Sequence, residues 1–195
     1  MPNTMNSDKF NLSYVAGKMG HYPQNVQGKS MEKQYTNELS AELLASMDIS
    51  PFSSEDLAAM REGSREQIEV QEEWVRQHPV NALWRFATER SLTRLGGVIE
   101  NASSPAAFRL DDGSEIRKAL VGDCALYPDG SRARIISGAG DAATHSNGVS
   151  FALVGSVLDN GDEIVSTPQS MAMLVSRDRV PMPDNFLVPV LPALC

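Results

Sequence analysis

Three histidines, His21, His78 and His145, and two cysteines, Cys124 and Cys195, are the side chains of this 195-residue chain best suited to hold a soft metal ion. None of them forms a C-x-x-C or an H-x₃₋₅-H pair, the spacings that bring two ligands to one turn or helix face. Cys124 reads as a small buried hydrophobe. His145, in Thr144-His145-Ser146-Asn147-Gly148, reads as an exposed loop histidine. No Ser or Cys has a histidine at an interval that suggests an activated nucleophile. Gly96-Gly97 and Gly138-Ala139-Gly140 lack the following Lys-Ser or Lys-Thr of a phosphate loop and read as turn glycines. The acid pairs Asp111-Asp112 and Asp162-Glu163 sit beside glycine in turns, where solvated carboxylates are ordinary. No catalytic residue is assigned, and the metal and cofactor content stays open.

These residues are carried by two kinds of segment. Residues 1–30 are polar and without sustained period, as in a flexible arm. From Ser30 to Met47 the apolar positions Tyr35, Leu39, Leu43, Leu44 and Met47 recur at three and four, which predicts a helix stopped by Ser50-Pro51. Ser53 followed by Glu55 and Asp56 predicts a second helix from Ser54 to about His78, with a break possible at Gly63-Ser64. Seven acids against three arginines over 55–76 read as the solvated face of that helix, or as an acidic docking surface.

After residue 80 the period changes. Asp-Gly or Asn-Gly pairs at 112–113, 129–130, 147–148 and 160–161 predict tight turns, because Asp, Asn and Gly tolerate positive φ. Short β-prone runs lie between them, at 97–100, 106–110, 116–121, 133–137, 149–154 and 163–167. Ala119-Leu120-Val121-Gly122 returns 33 residues on as Ala152-Leu153-Val154-Gly155, each copy followed by a turn and a further strand, so a strand-turn-strand unit is repeated. A third unit is expected at Gly96 to Gly113. Four prolines exclude a helix from Pro181 to Cys195, an apolar tail that either straps the domain's own surface or docks on a partner. The predicted organisation is a flexible arm (1–30), an α-helical region (31–85), a β domain (86–178) and a proline-rich tail (179–195).

The formal charge of −8 and the absence of basic runs exclude the electrostatic footprint of a nucleic-acid binder. No apolar run is long enough to span a bilayer, so stable membrane insertion is not expected. Residues Met1 to Lys18 lack the apolar core of a signal peptide, and two cysteines make no disulfide framework, so a reducing cytoplasm is the expected compartment.

The stretch from Leu92-Thr93-Arg94-Leu95-Gly96-Gly97-Val98-Ile99, through Ala119-Leu120-Val121-Gly122-Asp123 and Tyr127-Pro128-Asp129-Gly130-Ser131, to Gly138-Ala139-Gly140, Ala152-Leu153-Val154-Gly155 and Asn160-Gly161-Asp162 resembles the PAAR-repeat (proline-alanine-alanine-arginine) family. The resemblance covers about residues 88 to 170. It implies a mainly β fold, a small cone of repeated short hairpins preceded by an α-helical region. It also implies a role capping a trimeric VgrG-like spike of a type VI secretion system or contractile phage tail. Such a protein sharpens the spike for piercing an envelope, recruits effector, adaptor or baseplate components through its helices, and leaves the cell with the spike. Family members hold an apical zinc through histidines and a cysteine. Here Leu95 stands at the usual early histidine position, leaving Cys124, His145 and Cys195 as remaining candidates, so no tightly held zinc is expected. Two other readings are a toxic helical region delivered as an effector, and an unrelated β-domain adaptor.

Overall fold

The computed structural model describes residues 33–190, so the arm at 1–30 and Cys195 lie outside the described residues. The described chain is mostly strand and sheet with few helices. It divides into two units, one formed by 39–83 and 175–181, the other by 33–38, 84–174 and 182–190. Val80–Arg85 (β1) and Met173–Arg177 (β9) pair in a two-stranded sheet, and the chain passes between the units within each of these strands.

The first unit holds three helices, Ala41–Ser46 (α1), Ser54–Ala59 (α2) and Glu62–Gln77 (α3). The expected helix over 30–47 shrinks to α1. Ser40 starts it, its hydroxyl accepting from Leu43 N–H at 3.1 Å, while residue 35 is engaged elsewhere as a strand bridge. The second expected helix breaks at Met60-Arg61 rather than at Gly63-Ser64, which lie in the first turn of α3. Ser53 and Asp56 form a reciprocal capping box, with Ser53 N–H donating to Asp56 at 2.9 Å and Asp56 N–H to Ser53 at 3.1 Å. Met47, Val80 and Leu83 are the buried apolar side chains here. Beside them Arg177, 6% exposed, donates to both oxygens of Asp48 and to the His78 carbonyl, and its guanidinium faces the Trp74 ring.

The second unit is built from hairpins. Leu92–Thr93 (β2), Val98–Ile99 (β3), Cys124–Leu126 (β6), Arg132–Arg134 (β7) and Ile164–Ser166 (β8) form an antiparallel sheet in the order β7-β6-β3-β2-β8. Residues 157–159 then bond back to β7 through Asp159 N–H to Arg134 C=O and Ile136 N–H to Val157 C=O, both 2.9 Å, so the sheet closes on itself and loses its edges. Ala107–Arg109 (β4) and Glu115–Arg117 (β5) make a separate hairpin.

All four Asp-Gly or Asn-Gly pairs are hairpin turns of one design. At Tyr127–Ser131, Gly130 N–H donates to Tyr127 C=O at 2.9 Å, Tyr127 N–H donates to Ser131 C=O at 2.9 Å, and only Gly130 has positive φ, +84°. This is a type I turn followed by a glycine bulge. The residue before glycine keeps negative φ, contrary to the expectation from sequence. It acts through its side chain instead: Asp112, Asp129, Asn147 and Asn160 each accept from the N–H two residues on, at 2.8–3.1 Å.

Fully buried Ile99, Ile135 and Ile164 fill the closed sheet together with Ala125 and Leu158. Each such isoleucine contributes roughly 1.5–3 kcal/mol relative to exposure. A second cluster gathers Phe86, Phe108, Ile116, Ala139, Leu153, Ala172 and Leu174. Residues 33–38 join this unit: Tyr35 exchanges main-chain bonds with Thr167 at 2.8 and 3.0 Å, and the Asn37 amide bridges Val154 C=O and Arg85 N–H. The described part of the tail straps the same unit. Leu187 N–H reaches Gly138 C=O and Val190 N–H reaches Ile136 C=O, each at 2.7 Å, and Phe186 meets Trp84 edge-on at 4.8 Å.

Candidate functional site: a pseudo-three-fold ring

Three alanines define the centre of the β unit. Ala119 N–H donates to Ala87 C=O, Ala152 N–H to Ala119 C=O, and Ala87 N–H to Ala152 C=O, each at 2.9 Å. The three bonds run head to tail in a closed ring, and all three side chains are fully buried. Two residues on, the pattern recurs in Glu89 to Arg117, Val121 to Ser150 and Val154 to Arg85, again all at 2.9 Å. The pairs Phe86↔Leu153, Thr88↔Lys118 and Leu120↔Phe151 are the matching bridges. Strands 85–89, 117–121 and 150–154 thus pair around a pseudo-three-fold axis.

Each strand ends in the same four-residue turn. Ser91 N–H donates to Thr88 C=O, Asp123 N–H to Leu120 C=O and Ser156 N–H to Leu153 C=O at 3.0–3.1 Å. In each, a side-chain oxygen of the last residue accepts from the N–H of the first at 2.8–2.9 Å. The third unit therefore begins at Ala87, before the expected Gly96–Gly113, and its left-handed position is Arg90 (φ +64°) where the others have Gly122 and Gly155. A hairpin follows each turn. The second, with Tyr127–Ser131 at its tip, has two more residues in each arm than those with Thr93–Gly97 and Leu158–Asp162 at theirs.

Gly138 supports the ring from outside. A Cβ there would lie 2.4 Å from the Phe151 carbonyl oxygen and 2.8 Å from the Val121 side chain. Gly138→Ala should cost about 3 kcal/mol, because two ring strands must shift. Gly113→Ala, with open space around its Cβ and only the φ of +83° against it, should cost about 1 kcal/mol. Chemical denaturation of both variants checks the contrast.

The three hairpin tips are joined by one carboxylate. Asp162 is 2% exposed. It accepts from Leu95 N–H at 3.1 Å, from its neighbour Glu163 N–H at 2.8 Å and from the Tyr127 hydroxyl at 2.7 Å. Asn160 donates to the same hydroxyl at 3.1 Å. Burial pushes the Asp162 carboxyl up, but hydrogen bonds from Thr93, Tyr127, Glu163 and Leu95 outweigh it and hold the group below the usual carboxylate range. Burial and then the Asp162 bond push the Tyr127 phenol up. Asp162 is thus no solvated turn acid, as its setting beside glycine suggests, but a buried junction. Glu163 instead pairs with Arg94 at the surface.

The other candidates stay apart. Cys124 is a free, half-buried thiol in β6 that lines an open cleft of about 220 Å³ with Glu100, Asp123 and Arg132. His145 is half-buried rather than exposed, edge-on to Phe151 at 6.1 Å, with Nδ1 3.0 Å from Asn147 Oδ1. Leu95, in the third hairpin tip's reach, turns its side chain to solvent. Among the described residues no three His, Cys, Asp or Glu side chains gather to hold a metal ion. No described helix is long and apolar enough to cross a membrane.

Comparison with protein-family models, with curated proteins and with solved structures gives no match to this chain.

Proposed function

We propose that the β unit is a spike-tip domain of the PAAR-repeat kind. One chain caps the end of a trimeric VgrG-like spike, of a type VI secretion system or a contractile phage tail, and acts as a rigid piercing cone without catalytic chemistry. The observation that carries this reading is the closed ring of Ala87, Ala119 and Ala152. A single chain meets a three-fold partner without mismatch only when its own parts repeat about one axis, and three near-equivalent strands supply that. Edge-free pairing, one-design turns and a buried polar junction at the tips support a stiff body. The helical unit would then carry cargo or a baseplate component, and the protein would wait in the cytoplasm before leaving with the spike.

The test is stoichiometry. Mixed with a trimeric VgrG-like β-helical spike protein from the same organism, the full chain should form a complex of one chain per trimer by native mass spectrometry. Three chains per trimer, or no complex, overturns the capping model.

A further inference from the structure

Phe86, Lys118 and Phe151 occupy equivalent positions in the three ring strands, one residue before Ala87, Ala119 and Ala152. Their side chains converge. The Lys118 ammonium lies 5.0 Å from the Phe86 ring centre and 5.3 Å from that of Phe151, and the two rings are 5.7 Å apart. Three equivalent side chains that all touch one another meet at the axis that relates them. Phe108 closes the cage at 4.6 Å. Among the described residues the ammonium has aromatic faces around it but no hydrogen-bond acceptor and no carboxylate. Burial pushes it down from the usual lysine range.

An apolar third member would suit this cage, and burying part of a strongly hydrated ammonium without an acceptor opposes folding. Aromatic faces recover part of that cost, and they attract the cation without using its N–H donors. Those three donors are left for something outside the described chain. A charge on the axis is the one position equidistant from three identical subunits, and an ammonium, itself three-fold, offers each the same bond.

We propose that Lys118 is the axial anchor of the docking face, its ammonium receiving three oxygen acceptors, one from each subunit of the trimeric partner. This rests on the capping reading and adds to it the chemistry of the partner's end, a ring of carboxylate or carbonyl oxygens about its axis. The acidic chain as a whole would repel such a ring, so the lysine also fixes which end binds.

The experiment titrates the trimeric VgrG-like spike against the full chain and against Lys118→Met and Lys118→Arg, with melting temperatures measured alongside. Lys118→Met should melt at or above the wild-type temperature and bind about tenfold more weakly or worse, with a shallower dependence on salt. Lys118→Arg, which keeps the charge in a planar fork, should retain part of the affinity. Wild-type binding at one chain per trimer with Lys118→Met within twofold of it overturns the anchor and leaves the capping model standing. A Lys118→Met variant that melts several degrees lower shows the lysine to be a packing residue and also overturns it. A wild-type chain that binds no trimer removes both.

Discussion

Replacing Asp162 by alanine should lower the stability of the β unit by roughly 3–4 kcal/mol, a fall in melting temperature on the order of 10 °C. The substitution removes the carboxylate that the Tyr127 hydroxyl, the Thr93 hydroxyl and the Leu95 N–H share in a buried place, and a stranded buried donor costs more than the bond it made. Asp162→Asn keeps the shape and one acceptor oxygen and should lose about half as much. The pH dependence carries a second signature. The folded carboxyl is held below its unfolded value of about 3.9, so its contribution is present above that value and is lost as pH falls through it towards the folded pKa. The Tyr127 phenol is raised above its unfolded value of about 10, so its contribution is present below that value and is lost as pH rises through the folded pKa. Stability of wild type and Asp162→Ala from pH 2 to 11 should show both limbs shallower in the variant. Equal curves would mean that the tips are held by their turns alone.

In the helical unit the corresponding residue is Asp48. Asp48→Ala should cost about 3–5 kcal/mol, because Arg177 stays 6% exposed with its main counter-charge gone. Part of that loss is backbone, since Asp48 has φ +62°, a conformation alanine resists. Asp48→Asn separates the terms, as asparagine accepts the backbone but not the charge pair. The double variant Asp48→Asn with Arg177→Met should recover most of the loss, since removing both members leaves no uncompensated charge. Hydrogen exchange should place the single-variant effect in α3 and leave the amides of Ala87, Ala119 and Ala152 protected. Loss of protection at those alanines would show that the two units do not open separately.

What was legible in the sequence was what depends on local chemistry. The four Asp-Gly and Asn-Gly turns, the helix start at Ser53 and the echo of Ala119–Gly122 in Ala152–Gly155 can be read from a few neighbouring residues, and all three stand in the structure. The start of the third repeat, at Ala87 rather than Gly96, was not legible. Arg90 fills the left-handed position that glycine marks in the other two, and Thr88-Glu89 replaces Leu-Val, so only the alanine and the turn serine survive as signals. The helix expected at 30–47 shrank to α1 for a different reason. Its apolar spacing is real, but Tyr35 pairs with Thr167 across more than 130 residues, and no local period encodes such a partner. Asp162 was misread because an acid beside glycine is usually wet, and its burial follows from where Leu95 and Tyr127 arrive. Lys118 gave no signal, since its meaning lies in the two phenylalanines that share its place in the other strands.

The closing bond of the alanine ring, Ala87 to Ala152, joins residues 65 apart, and the Tyr35–Thr167 pair encloses nearly the whole β unit. Until Ala152 is in place, strands 85–89 and 117–121 can pair with each other but each keeps one bare edge, open to any other extended chain. During synthesis the ring therefore closes only once Ala152 has emerged, through loops whose closure is slow because their ends are far apart along the chain. The same geometry that leaves the finished ring without edges leaves a chain cut short of residue 152 with two bare ones, so a ribosome stalled there would release a product fit for aggregation or degradation rather than a partial tip.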